Sequence, residues 1–262
     1  MFLYRLFYEG ISMLLSATSL YSLVVRITAR ALRYNNMRLA HFVEFGRKIV
    51  CVGRNYAAHA KELNNTVGET PLIFLKPPTA YLMQGNGNIE PPPGCLELHH
   101  EVELGVLIER PGKNIPEGEA MQHVGGYTLC LDMTARDVQT KLKSQGAPWE
   151  LAKAFDTSCP VGDFVPKESI VDPHNLNLWC KVNGIMRQKG NTKDMFFKIP
   201  QIVAYVSRYF TLEVGDLILT GTPQGVGPVK SGDTIEAGMN ALIIPGGPEV
   251  PEQLARTLIS IC

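Results

Sequence analysis

From about residue 46 onward, short apolar runs alternate with turn signals, and most runs have strand rather than helix length. Lys48-Ile49-Val50-Cys51-Val52-Gly53 predicts a strand. Tyr56 to Leu63 predicts a helix entered through Asn55, a residue type that caps helix starts. Leu72-Ile73-Phe74-Leu75-Lys76 predicts a second strand stopped by Pro77-Pro78, and Glu101 to Ile108 and Gly126 to Asp132 predict two more. Leu176 to Val182, Asn183-Gly184 and Ile185 to Gln188 spell a hairpin, because Asn-Gly readily supplies the positive φ angles of a tight turn. A helix over Pro200 to Tyr209 then precedes a strand over Leu217 to Thr220. Strands outnumber helices without regular β-α-β alternation, so the expected class is a mixed, β-rich α+β fold rather than a doubly wound parallel sheet.

Both ends break the pattern. Residues 1–36 carry Arg5, Arg26, Arg30 and Arg33 against one acid, Glu9, with several serines and threonines, a composition typical of a mitochondrial transit segment. Two other readings stay open: a membrane signal in the uncharged stretch Gly10 to Val25, which is short for a span, and a true start at Met37 with a cytoplasmic location. No stable membrane insertion is expected. At the other end, Pro245-Gly246-Gly247-Pro248 punctuates the chain, and residues 249–262 predict a short amphipathic surface helix. The expected organisation is an extension over 1–45, one domain over 46–244 and a tail over 245–262.

Composition narrows the class of function. The 262 residues are 45% hydrophobic and 19% charged, which suits a globular chain and not a disordered one. Lys plus Arg and Asp plus Glu both number 25, so the basic excess of a phosphate-binding protein is missing and no nucleic-acid partner is expected. The six cysteines form no C-x-x-C pair and several sit in apolar runs, which predicts free thiols rather than zinc or disulfides.

The candidate chemistry centres on His99-His100-Glu101-Val102-Glu103-Leu104. In a strand, residues two apart share a face, so Glu101 and Glu103 project together and repel unless a cation lies between them. Asp132, at the end of the next strand, is a third carboxylate in reach if the strands pair. All-oxygen donors suit Mg²⁺, Mn²⁺ or Ca²⁺. The alternative is the solvent face of an edge strand. His59 and Glu62 stand at i and i+3 on the first helix, the pairing that a water-activating base needs, or simply an exposed helix pair. Arg136 and Gln139, one turn apart, suit a substrate carboxylate. Lys153 is a charge in an apolar stretch, where it either neutralises an anion or snorkels to the surface. The Gly-rich run Thr220 to Gly227 offers backbone N–H groups and the Thr222 hydroxyl, or is a plain turn.

Taken in order, these segments resemble the fumarylacetoacetate hydrolase family. The resemblance runs through Val52-Gly53-Arg54-Asn55-Tyr56-Ala57-Ala58-His59, Phe74-Leu75-Lys76-Pro77, His100-Glu101-Val102-Glu103-Leu104, Gly126-Tyr127, Asp132-Met133-Thr134-Ala135-Arg136-Asp137 and Thr220-Gly221-Thr222-Pro223-Gln224-Gly225-Val226-Gly227, within residues 46–238. The short single-domain form is similar to the branch of mitochondrial acylpyruvases and oxaloacetate decarboxylases. The resemblance implies a β-roll fold like the C-terminal domain of fumarylacetoacetase, a homodimer, and one Mg²⁺ or Mn²⁺ held by Glu101, Glu103 and Asp132. It further implies a catalytic His59–Glu62 dyad on a lid helix assisted by Lys153, with Arg136, Gln139 and Thr222 positioning a small 2-oxo acid. The implied activity is hydrolysis of acylpyruvates, decarboxylation of oxaloacetate, or both. The alternatives are oxaloacetate keto–enol tautomerisation and a catalytically dead binding protein. Family members finish with a further core strand after a stretch like Ile235-Glu236-Ala237-Gly238, and divergence near residue 242 predicts that this strand is missing.

Overall fold

The computed structural model describes residues 34–62, 68–241 and 253–262, together with Tyr21, Ser22 and Val25. The chain divides into two units, residues 1–38 and 39–262. In the first, the described residues are helical, and most of the Arg-rich stretch read as a transit segment lies outside them.

The second unit is built on three sheets. Its strands are β1 (Ile49–Gly53), β2 (Leu72–Lys76), β3 (Tyr81–Met83), β4 (Leu98–His100), β5 (Val102–Ile108), β6 (Val124–Leu131), β7 (Thr134–Ala135), β8 (Cys159–Val161), β9 (Val165–Pro166), β10 (Leu176–Val182), β11 (Ile185–Asn191), β12 (Leu217–Leu219), β13 (Gly227–Val229), β14 (Thr234–Ala241) and β15 (Gln253–Ser260). Helices are few and short: α1 (Phe42–Phe45), α2 (Ala57–Glu62), α3 (Arg136–Ser144), α4 (Glu150–Lys153) and α5 (Ile199–Tyr209). The large sheet runs β2-β1-β12-β5-β6-β8-β3, with β9 also on β6. It is mixed, since β1–β12 and β3–β8 are parallel and the other pairs antiparallel. A four-stranded sheet runs β11-β10-β14-β15, and a small one runs β13-β4-β7. This is the β-rich α+β architecture expected from the pattern of apolar runs.

The large sheet is covered on both faces. Along β1, Val50 and Val52 join one apolar cluster with Leu104, Val106 and Leu129, while Ile49 and Cys51 join another with Leu107, Cys130 and Leu217. Alternate residues of one strand thus serve two cores, which is why its strands read as unbroken apolar runs. The Asn183-Gly184 turn has φ of 50° and 78°, as the hairpin reading requires. Asn55 does not cap a helix. Its buried amide instead donates to the Thr220 and Phe197 carbonyls and accepts from the Phe197 N–H at 2.7 Å, tying three segments together.

The tail corrects the sequence expectation. Residues 253–260 are not a surface helix but strand β15, antiparallel to β14 from Thr234↔Ser260 to Asn240↔Gln253. Ala255, Thr257 and Ile259 are buried while Arg256 and Leu258 face outward, a period-two pattern. The Pro-Gly cluster thus precedes a returning strand, and the place where a strand was expected to be missing is filled by residues 253–260. Ile89 and Ile261 extend the contact through an isolated bridge.

This placement makes a graded prediction. Ile259→Ala, at a 4% exposed position, should cost about 2–4 kcal/mol of stability in urea unfolding. Leu258→Ala, its 47% exposed neighbour, should change stability by less than about 0.5 kcal/mol. Equal costs would place the tail outside the sheet.

Candidate metal centre

Strand register assembles the acidic cluster. β5 and β6 pair with Val102 opposite Leu131 and Glu103 opposite Cys130, and one step on, the Asp132 N–H donates to the Glu101 carbonyl at 2.8 Å. Glu101 and Glu103 are two apart, and Asp132 lies across the ladder from Glu101, so all three carboxylates meet on one side of the strand pair. One oxygen from each lies within 4.8 Å of the others. None is more than 5% exposed, which removes the reading of Glu101-Val102-Glu103 as the solvent face of an edge strand.

Buried anions need partners. Lys153, from the end of α4, donates to Glu101 Oε2 at 3.0 Å and Asp132 Oδ2 at 2.6 Å. Lys76, the last residue of β2, lies 2.9 Å from Asp132 Oδ1 and donates to the Ser158 carbonyl and hydroxyl at 3.1 Å. Arg136, the first residue of α3, donates to Glu101 Oε1 and to Gln139 Oε1, the latter at 2.7 Å. Glu103 is served differently, by the Gly221 N–H at 2.6 Å. Gly221 has φ of 97°, and a Cβ there would stand 2.7 Å from that of Asn55, so the close approach needs glycine.

The electrostatics divide the carboxylates. Burial works to raise the Glu101 pKa, but Lys153, then Arg136 and His59, hold it well below the usual range. Burial, reinforced by Asp132 and Glu101, pushes Glu103 well above it. Burial works against the Lys153 charge, yet Asp132 and Glu101 raise its pKa. Three convergent oxygen donors, one of them destabilised as an anion by the other two, fit a hard divalent cation such as Mg²⁺ or Mn²⁺.

The remaining candidates surround the cluster. His59 on α2 is 5% exposed, and its Nδ1 is 3.2 Å from Glu62 Oε2. The Glu62 carboxylate also accepts from the Gly225 N–H, which links α2 to the Gly-rich loop. Thr222 donates to the Val102 carbonyl at 2.8 Å. His59, Glu101, Glu103, Asp132, Arg136, Gln139, Lys153 and Thr222 all line one solvent-open cleft, walled by Leu72, Phe74 and Trp149. Glu62 supports that lining from behind. His99 and His100, which precede Glu101 in the chain, turn elsewhere: His99 Nε2 pairs with Glu97 and His100 Nδ1 with Gln188.

Two supporting residues carry little local signal in the sequence. Lys76 reads as the polar end of an apolar strand, although a lysine at an inward-facing strand position is itself a hint of a buried anion. Gln188 reads as a hairpin residue, yet it is fully buried. Its Oε1 accepts from the Val102 N–H at 3.0 Å and faces His100 Nδ1 at 2.9 Å. Its Nε2 donates to Thr222 Oγ1 and the Pro223 carbonyl. It thus braces both the Glu101–Glu103 segment and the Thr222 loop.

Comparison with known proteins places this geometry. The family model described as fumarylacetoacetate (FAA) hydrolase C-terminal matches residues 48–249. Over 205 residues the chain is 59% identical to a protein named oxaloacetate tautomerase FAHD1, mitochondrial, from Mus musculus, covering 78% of this chain and 92% of that one. Over 201 residues it is 53% identical to oxaloacetate decarboxylase, mitochondrial, from Dictyostelium discoideum, covering 77% and 92%. Among solved structures, fumarylpyruvate hydrolase from Pseudomonas aeruginosa in complex with Mn²⁺ and pyruvate superposes with a TM-score of 0.74 at 35% identity, over 82% of this chain and 89% of that one.

The raised Glu103 pKa gives a signed prediction. A proton and a cation compete for that carboxylate, so cation binding releases the proton. Mn²⁺ affinity should therefore rise with pH, by up to about tenfold per unit while Glu103 is protonated. Calorimetric titration in buffers of different ionisation enthalpy would detect the proton, and a pH-independent affinity would contradict the assignment.

Proposed function

The chain belongs to the fumarylacetoacetate hydrolase family, and from that premise we propose that it is a divalent-cation-dependent enzyme of small 2-oxo acids whose first substrate is oxaloacetate. The observation that carries the proposal is the buried Glu101–Glu103–Asp132 cluster at the floor of a cleft rimmed by cations. Glu101, Glu103 and Asp132 would hold Mg²⁺ or Mn²⁺ there, and the ion would supply positive charge that favours the enolate of a 2-oxo acid. Arg136 and Gln139 hold the substrate carboxylate from α3, and Lys153 adds positive charge beside the developing enolate oxygen. His59, oriented through Nδ1 by Glu62, has Nε2 left to carry a proton. The Thr222 hydroxyl, whose proton is committed to the Val102 carbonyl, positions substrate as an acceptor and a steric wall.

Stabilising a 2-oxo acid enolate serves several outcomes. Returning a proton to carbon or to oxygen interconverts the keto and enol forms of oxaloacetate. Loss of CO₂ from oxaloacetate gives the enolate of pyruvate without water. For an acylpyruvate, His59 takes a proton from water as that water attacks the distal carbonyl, and pyruvate leaves as its enolate. The names of the mouse and Dictyostelium relatives support the first two outcomes, so oxaloacetate tautomerisation together with decarboxylation is the leading reading. Acylpyruvate hydrolysis is kept as a second because of the His59–Glu62 pair and the fumarylpyruvate hydrolase neighbour. A mitochondrial location belongs to the same proposal and is supported by the names of relatives from several species. The proposal includes a homodimer, which light scattering would test.

Three assays on one preparation separate the outcomes: decay of enol absorbance from oxaloacetate, pyruvate release from oxaloacetate, and pyruvate release from acetylpyruvate. With Mg²⁺, enol decay should exceed the buffer rate and vanish with EDTA or Glu101→Ala. His59→Gln should lower acetylpyruvate hydrolysis by about 10²–10⁴-fold. It should slow tautomerisation less, because solvent can also deliver that proton. If folded, Mg²⁺-loaded protein accelerates none of the three, the catalytically dead alternative is correct.

A further inference from the structure

We propose that Lys143 and Arg54 form a subsite for a second, distal carboxylate, which makes the cleft selective for dicarboxylic 2-oxo acids. The inference rests on the 2-oxo acid reading above and deepens it. Arg136, Gln139 and Lys143 are at positions i, i+3 and i+7 of α3, so one stripe of the helix carries all three to the cleft. Arg54 reaches the same cleft from the turn that follows β1, where it adopts φ of 59°, an uncommon conformation for a residue with a side chain.

Charge pairing separates these two cations from the others. Arg136, Lys153 and Lys76 each meet a carboxylate of the acidic cluster. Among the described residues, no carboxylate lies within ion-pair distance of Lys143 or Arg54. Two positive charges therefore line the cleft, close enough for Arg54 to act on Lys143, with no anion of their own among the described residues. Trp149 sets the position of one, since the Lys143 ammonium lies 4.9 Å from its ring centroid, and Trp149 packs on Phe74 at 5.9 Å between centroids. Burial, and after it the charges of Arg136, Arg54 and Lys153, lower the Lys143 pKa to about 8. The ammonium still predominates at neutral pH, and an arriving anion would relieve this crowding of like charge.

Substrate chemistry supplies that anion. A 2-oxo acid with its C1 carboxylate and keto oxygen toward the acidic cluster directs its C3 substituent away from it. In oxaloacetate that substituent is a carboxylate, whereas in acetylpyruvate it is a neutral acetyl group. Lys143 and Arg54 would hold the former and gain nothing from the latter.

The test uses stable pairs that differ only at the distal end: lactate against malate, with 2-hydroxyglutarate as a longer dicarboxylate. Each is titrated by calorimetry into the Mn²⁺-loaded protein. The wild type should bind at least one dicarboxylate about tenfold tighter than lactate, consistent with a hydrogen-bonded charge pair. Lys143→Met and Arg54→Met should each remove most of that preference while changing lactate affinity by less than about twofold, and Lys143→Arg should retain it. Unchanged Mn²⁺ affinity shows that the variants keep the site intact. Equal binding of lactate and both dicarboxylates by the wild type, or a parallel loss for all ligands in the variants, overturns the subsite and leaves the 2-oxo acid reading standing. If Mn²⁺ binds but neither the hydroxy acids nor pyruvate, titrated in the same way, does, the 2-oxo acid reading fails and the subsite with it; if pyruvate binds and no hydroxy acid does, the subsite alone is overturned.

Discussion

Three carboxylates held within 4.8 Å of one another and away from water constrain everything around them. Two unit charges at 4 Å repel by about 4 kcal/mol even at an effective dielectric of 20, so such a cluster forms only where cations are held equally close. The fold brings them from separate segments: Lys76 from the end of β2, Arg136 from the start of α3 and Lys153 from the end of α4. Glu103 touches none of the three and depends on a backbone N–H. That residual imbalance is the physical reason for reading the cluster as a cation site rather than as a structural salt-bridge network.

The constraint explains several features with no obvious role of their own. Gly221 must be glycine for its N–H to reach Glu103, and Asn55 holds that loop against β1 and the Phe197 segment. Gln188 uses both ends of its amide to hold the Glu101–Glu103 segment in register with the Thr222 loop. Replacing it with an apolar residue would leave buried donors and acceptors unpaired. Names as different as tautomerase, decarboxylase and hydrolase among the relatives fit one floor of this kind, because on the proposed chemistry each reaction passes through the enolate of a 2-oxo acid, formed by loss of a C3 proton, by loss of CO₂ or by departure of pyruvate after water attacks.

Much of this was legible in the sequence, for reasons of range. The strand parity of Glu101 and Glu103, the helical spacing of His59 and Glu62, and the Asn183-Gly184 turn are local, and each lies in the structure where local geometry predicts. The convergence of Asp132 on the glutamates depends on how β5 and β6 pair. Spacing allowed it and only the register decides it. Asn55 looked like a cap because its local context is that of a cap, while its actual partners are about 140 to 165 residues away. Tail strand β15 was hidden because a Pro-Gly cluster announces a break but not whether the chain returns. Lys76 and Gln188 act through contacts distant in sequence, which no window along the chain reveals.

The central claim is that the buried carboxylates form a divalent-cation site. Anomalous diffraction from crystals grown with Mn²⁺ and pyruvate tests it most directly, because the signal locates the ion without reference to activity. A manganese peak within coordination distance of one oxygen each from Glu101, Glu103 and Asp132, absent in Glu103→Gln crystals, is the predicted result. A map with Lys153 still bridging Glu101 and Asp132 and no anomalous density among the three would contradict it.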